Sequence, residues 1–195
     1  MSGLYVHIPF CVSKCAYCDF ISFSDHSLVD AYIAALVKEA SMRRAAFDAV
    51  SFDTVFIGGG TPSILAQGSI AQIIGGLRAN FSIISNAEIT IEANPGTLTR
   101  EKLNEYIDSG INRLSIGLQS ADGDILKRIG RVHSLKHFEE SLSAALACGM
   151  SNINADIMYG LPGQDMERWI RTLEYICAKD ITHISAYSLI LEKGT

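Results

Sequence analysis

Six short apolar runs, each answered by a helix-like segment, constrain the fold of this chain more than any other feature. The runs lie at 4–10, 54–57, 88–93, 113–118, 152–159 and 183–189. They are rich in β-branched and aromatic residues and bounded by turn formers, which is how strands read. Between them apolar residues recur at helical spacing, as in Tyr32, Ile33, Leu36 and Val37. Helices are expected at 28–47, 69–81, 99–108, 122–128 with 135–148, and 166–178. Strict alternation implies a parallel sheet with helices on its outer face. Right-handed crossovers then curl six such units into an open barrel. The expected class is α/β, a partial (β/α)6 barrel with a curved parallel sheet.

In barrels of this kind chemistry sits at the C-terminal ends of the strands. The reactive-looking residues fall there. Cys11, Cys15 and Cys18 follow the first strand, and Gly58-Gly59-Gly60-Thr61 follows the second. Glu92, Gln119 and Asp156 end the third, fourth and fifth. With 195 residues the chain suffices for one domain with its own core, so 1–195 reads as a single domain. No helix follows the last strand, and an uncovered apolar strand is a poor boundary. The expectation is the N-terminal part of a longer chain, with a C-terminal domain absent.

Charge narrows the partners. Sixteen Lys and Arg against 21 Asp and Glu give a net charge of −5, which argues against nucleic acid as the main partner. No stretch reaches the roughly 20 apolar residues of a membrane helix, and the start lacks the basic and apolar regions of a secretory signal. The expected location is the cytoplasm.

Five cysteines are an odd number, and three of them lie between positions 11 and 18. A tight cluster in a cytosolic chain points to metal rather than to disulfides. A 4Fe–4S cube takes four cysteine ligands as a rule. Three leave one iron open, able to bind the amino and carboxylate groups of a substrate such as S-adenosylmethionine (SAM). The alternative is a structural zinc ion with His7 as its fourth ligand. Cys148 and Cys177 sit among apolar residues at helical spacing and read as core residues.

The string Tyr5-Val6-His7-Ile8-Pro9-Phe10-Cys11 through Cys18 resembles the radical SAM signature. Its flanks are similar to those of the oxygen-independent coproporphyrinogen III oxidase family and its HemW-type haem chaperone branch, and the likeness runs over essentially all 195 residues. The resemblance implies a 4Fe–4S cluster on Cys11, Cys15 and Cys18, with SAM cleaved after one-electron transfer to its sulfonium. It also implies that Tyr5, Gly59, Gly60, Thr61 and Glu92 contact SAM. Tyr17, Gln119, Arg131 and Asp156 correspond to residues near a second SAM in the oxidase branch. Read from the residues alone, the triple glycine is either a turn or a close backbone approach, and Glu92 either a site carboxylate or a solvated strand end. Tyr17 can shield the cluster or stack on adenine, and Tyr5 can be strand packing. Asp156, inside an apolar strand, requires a partner, for which Arg131 is the candidate.

Phe20 bears on the branch. The oxidases carry a fourth cysteine two positions after the third, and Phe20 is the pattern of the haem chaperones. The resemblance therefore implies a haem carrier that delivers haem to membrane haem proteins, with an electron donor protein as further partner. The alternative is oxidative decarboxylation of coproporphyrinogen propionates to vinyls. No haem ligand is assigned; His7, His133 and His183 read as packing or hydrogen-bonding residues.

Overall fold

The computed structural model describes residues 2–192. Six strands form one parallel sheet in sequence order: β1 (Gly3–Ile8), β2 (Ser51–Gly59), β3 (Ser82–Ala93), β4 (Arg113–Gln119), β5 (Ile153–Tyr159) and β6 (His183–Ser188). Between them run α1 (Val29–Arg43), α2 (Ser69–Asn80), α3 (Arg100–Asp108), α4 (Gly123–Arg128), α5 (Leu135–Ala147) and α6 (Met166–Cys177). β1 and β6 pair with one neighbour each, so the sheet does not close. This is the α/β partial barrel the alternation implies.

The strands have two unlike faces. Val6, Ile8, Val55, Ile57, Ile89, Ile91, Leu114, Ile116, Ile153 and Ile157 are buried in one core with Ile33, Ile73, Leu103, Phe138 and Ile176 of the helices. Burial of this apolar surface, at roughly 25 cal/mol per Å², drives the helices onto that side. The opposite face is mixed, with polar, aromatic and apolar side chains, Met158 among them in a second apolar cluster with Ile125, Leu126, Ile129 and Leu161. In register across it lie Tyr5 with Phe56, Glu92 with Ser115, Gly117 with Asp156, and Met158 with Tyr187. Strand alternation requires this division. A fully buried parallel strand would read as continuous apolar residues, and these do not.

Several boundaries differ from expectation, among them β2, which runs Ser51–Gly59 rather than over 54–57. β1 ends at Ile8 rather than at residue 10, because Pro9 has no N–H to donate to a ladder. α1 stops at Arg43, and Arg44–Phe47 tighten into a 3₁₀ turn. β3 begins at Ser82, where Ser82 and Ile83 pair with Ser51 and Phe52 before the register slips.

Candidate functional site

The segment after β1 is fastened at both ends. Cys11 N donates to Phe23 O (3.0 Å) and Phe23 N to Pro9 O (2.8 Å), so the chain leaves and returns at one point. His26 and His7 reach the carbonyls of Cys11 and Ile21 through their Nε2 atoms. In the middle, Ala16 N donates to Ile129 O (3.2 Å) at the end of α4. The approach requires glycine next door, since Gly130 has φ +73° and a Cβ there would lie 3.2 Å from Ala16 N.

This loop presents three free, half-exposed thiols. Burial pushes the Cys18 thiol up, and Cys15 and Cys11 add to the rise. The three therefore share one electrostatic neighbourhood. Cys11 Sγ lies 3.6 Å from Thr61 Oγ1, and Cys15 Sγ accepts from Arg131 Nη1 at 3.6 Å. No three His, Cys, Asp or Glu among the described residues converge closely enough for a single metal ion. His7, the would-be fourth zinc ligand, has both ring nitrogens engaged, by the Tyr5 hydroxyl (3.1 Å) and Ile21 O (2.9 Å). Three thiols on one loop are the ligand type that iron–sulfur clusters take.

The glycines after β2 are demanded by contact. A Cβ on Gly60 would lie 2.6 Å from Phe10 O and 2.9 Å from Ile8 O, and one on Gly59, at φ +111°, would enter the His7 ring. Gly60 N and Thr61 N donate to Ile8 O and Phe10 O, both at 2.8 Å, so this segment holds the stem of the cysteine loop. Thr61 is buried and accepts from Asn94 Nδ2 (3.0 Å).

Glu92 faces this backbone from β3. Its carboxylate accepts from Gly59 N at 3.0 Å. Burial raises its pKa to about 7; the Gly59 bond opposes that shift and Asp156 reinforces it. Tyr5 stands on the same face, stacked on Phe56, and its pKa is raised by burial and then by Glu92.

β4 ends in strained backbone. Gln119 is the one non-glycine among the described residues at positive φ, +66°, at a register slip opposite Ile157. Such conformations persist only where surroundings impose them. Here the Tyr187 hydroxyl donates to Gln119 Oε1 at 2.9 Å and fixes the amide. Tyr187 escaped the sequence reading, although alternation along β6 places it on this mixed face.

Asp156 does have partners, but Arg131 is not one of them. It accepts from Ser115 Oγ and Asn154 Nδ2, each at 2.8 Å. Asn154 in turn accepts from Ser185 Oγ (3.0 Å) and meets His183 Nδ1. Neighbouring strands supply these groups at shorter reach than a loop arginine. Arg131 instead donates to Asn94 Oδ1 and Gly117 O (both 2.7 Å), to His133 Nδ1 (3.2 Å) and to Cys15. Burial, and then Arg131, lower the His133 pKa to about 4. Its Nε2–H therefore donates to Leu118 O. Tyr17 is half-buried beside Arg131, Cys15 and Cys18, its phenol pushed up chiefly by burial. Cys148 packs on the core as expected, whereas Cys177, at the open end of α6, is exposed and not a core residue.

Three thiols at the end of β1, a glycine backbone beside them and a mixed sheet face below thus meet at one rim of a six-stranded open barrel. The family model of the radical SAM superfamily matches residues 5–176, and the chain belongs to that superfamily. Within it, the similarity is to the HemW-type branch. The chain is 38% identical over 195 residues to the heme chaperone HemW of Escherichia coli, covering 99% of this chain and 52% of that protein. Against HemW of Bacillus subtilis it is 38% identical over 197 residues, covering 100% and 52%. The solved structure of E. coli coproporphyrinogen III oxidase (HemN), a radical SAM enzyme, superposes with a TM-score of 0.89 at 30% identity, over 96% of this chain and 44% of that one. The chain spans about half the length of the curated relatives it matches. No helix among the described residues is long and apolar enough to cross a membrane.

Proposed function

We propose that this chain is the radical SAM core, residues 1–195, of a HemW-like haem chaperone acting in the cytoplasm. Cys11, Cys15 and Cys18 hold a 4Fe–4S cluster, whose role when loaded is to pass an electron to SAM. The observation that carries this reading is the set of three free thiols on a loop pinned to the end of β1. Glu92 and the Gly59–Thr61 backbone receive the amino group of SAM. A carboxyl that titrates near neutrality is ionised by an arriving ammonium, which replaces water as its partner. Gln119, with its carbonyl oxygen taken by Tyr187, offers only N–H donors, and Asp156 offers an acceptor; together they suit a second zwitterion or a ribose. Haem is the cargo, an external donor protein supplies the electron, and membrane haem proteins are the recipients.

Phe20, where the oxidases have cysteine, and the names of the most similar relatives favour the carrier over the oxidase. Anaerobic reconstitution is expected to yield about four irons per chain; colourless protein that retains zinc would refute the cluster. With SAM, reductant and coproporphyrinogen III, haem binding without turnover is expected. Steady formation of protoporphyrinogen IX would instead establish the oxidase.

A further inference from the structure

The outer side of the cysteine loop carries positive charge that the fold itself does not use. Lys14 stands exposed between Cys11 and Cys15, and Lys127 and Arg128 stand exposed in the last turn of α4. The two segments meet: Ala16 N donates to Ile129 O at 3.2 Å, and a Cβ on Gly130 would lie 3.7 Å from Cys15 Cα. α4 turns Ile125, Leu126 and Ile129 inward, where Tyr17 packs on them, so Lys127 and Arg128 are left on its outer side. The Arg128 guanidinium reaches over Gly163, where a Cβ would lie 2.8 Å from Nη1. None of the three cations belongs to an ion pair among the described residues. Asp19 on the loop and Asp124 in the first turn of α4 are the acids of this wall, since Asp122 is held by Arg168 at 3.0 Å. With Arg131 behind, the wall is net positive on a chain of net charge −5. Cations in a last turn offset the helix dipole, which accounts for Lys127 and Arg128 but not for Lys14 on another segment.

We propose that Lys14, Lys127 and Arg128 form the docking surface for the electron donor, a protein with an acidic surface around its redox group. The purpose of this surface rests on the cluster assignment above; its charge does not. Electron transfer slows steeply with distance, so a donor has to settle on the wall nearest the cluster. Cys11 and Cys15 turn their sulfurs to Thr61 and Arg131 within the rim, which leaves the Lys14 side for a partner. Opposite charge raises encounter rates roughly 10–10³-fold, and rim charges act on arrival and on salt dependence more than on affinity. Weak redox encounters bury less than about 1,200 Å², so one loop and one short helix provide enough surface. In the step itself a flavin hydroquinone anion on the donor loses one electron and becomes the neutral semiquinone. The oxidised cluster gains that electron; no bond forms and no proton moves.

The test uses reduced flavodoxin as the acidic probe. It compares wild type, the double variant Lys127→Glu with Arg128→Glu, and Lys38→Glu, an exposed reversal on α1. Binding to the iron-free chains is read by fluorescence anisotropy, and electron transfer to the reconstituted chains by stopped flow. The double variant is expected to bind more weakly and to accept electrons about tenfold more slowly, the lower end of what steering contributes. Wild type is expected to lose the same advantage at about 1 M salt, where the Debye length is about 3 Å. Lys38→Glu should match wild type, and dithionite, which needs no docking, should reduce all three to the same final extent. Equal rates and equal salt dependence in wild type and double variant overturn the proposal, as does an equal fall in Lys38→Glu. So does wild type that dithionite reduces and flavodoxin does not. If wild type takes up no iron while the iron-free chains bind flavodoxin through Lys127 and Arg128, the failure lies in the cluster assignment and not in the docking surface.

Discussion

Glu92 lends itself to the sharpest test, because its environment puts a number on its cost. In the folded chain its pKa is about 7 against an ordinary value of 4.5. At about 1.36 kcal/mol per pH unit, keeping this carboxylate ionised costs the native state about 3 kcal/mol. The sign follows from proton counts. Between pH 4.5 and 7 the native carboxyl holds a proton that the unfolded chain has released, so stability falls as pH rises through that window. Glu92→Gln keeps an oxygen for Gly59 N and removes the charge. Urea unfolding of the metal-free protein from pH 4.5 to 8 is expected to show the variant equal to wild type at the acid end. It should be more stable by about 2 kcal/mol at pH 8, after discounting for the partial exposure of the group. For a chain of this size that is roughly 4–8 °C in Tm. The gain in stability should accompany weaker SAM binding by the loaded protein, as expected where a site retains a strained charge for its ligand. Parallel pH profiles for the two proteins would refute the reasoning.

The remaining expectations are simpler. Cys15→Ala should leave reconstituted protein without a cluster while Cys148→Ala keeps about four irons per chain, read as iron per protein. Gly60→Ala drives a methyl into two backbone carbonyls, so about 3 kcal/mol of stability should be lost; an unchanged denaturation midpoint would contradict the close approach. His133 stays neutral down to about pH 4. An unfolded histidine charges near 6.5, so stability should decline as pH falls between those values; an imidazole titrating near 6.5 by NMR would remove the argument. Tyr187→Phe frees Gln119 Oε1 and should cost about 1 kcal/mol.

Much of the architecture was legible because a strand covered on one face alternates, and a helix repeats every three to four residues. Asn154 and Asp156 could be assigned to one side of β5 on that ground alone. The first half of β3 was not, because 82–86 reads Ser-Ile-Ile-Ser-Asn and earns its pairing from β2 rather than from its own composition. The partners of Arg131 were hidden for a different reason. Cys15 lies 116 positions away, and no local pattern reports a bond that only the curl of the sheet brings about. Asp156 shows the converse: the need for a partner was readable, while its identity depended on which strands became neighbours. Cys177 misled because helical spacing marks a face, and α6 ends where that face meets solvent.

Backbone hydrogen bonds tie the cysteine loop to Phe23, to the glycine segment after β2 and to Ile129. Small zinc modules fold around their ion. Here the fastenings are backbone hydrogen bonds among Pro9, Cys11 and Phe23 and from Ala16 to Ile129, none of which uses a cysteine sulfur. Replacing a cysteine by alanine should therefore leave these bonds in place, which amide hydrogen exchange at Cys11, Ala16 and Phe23 would read.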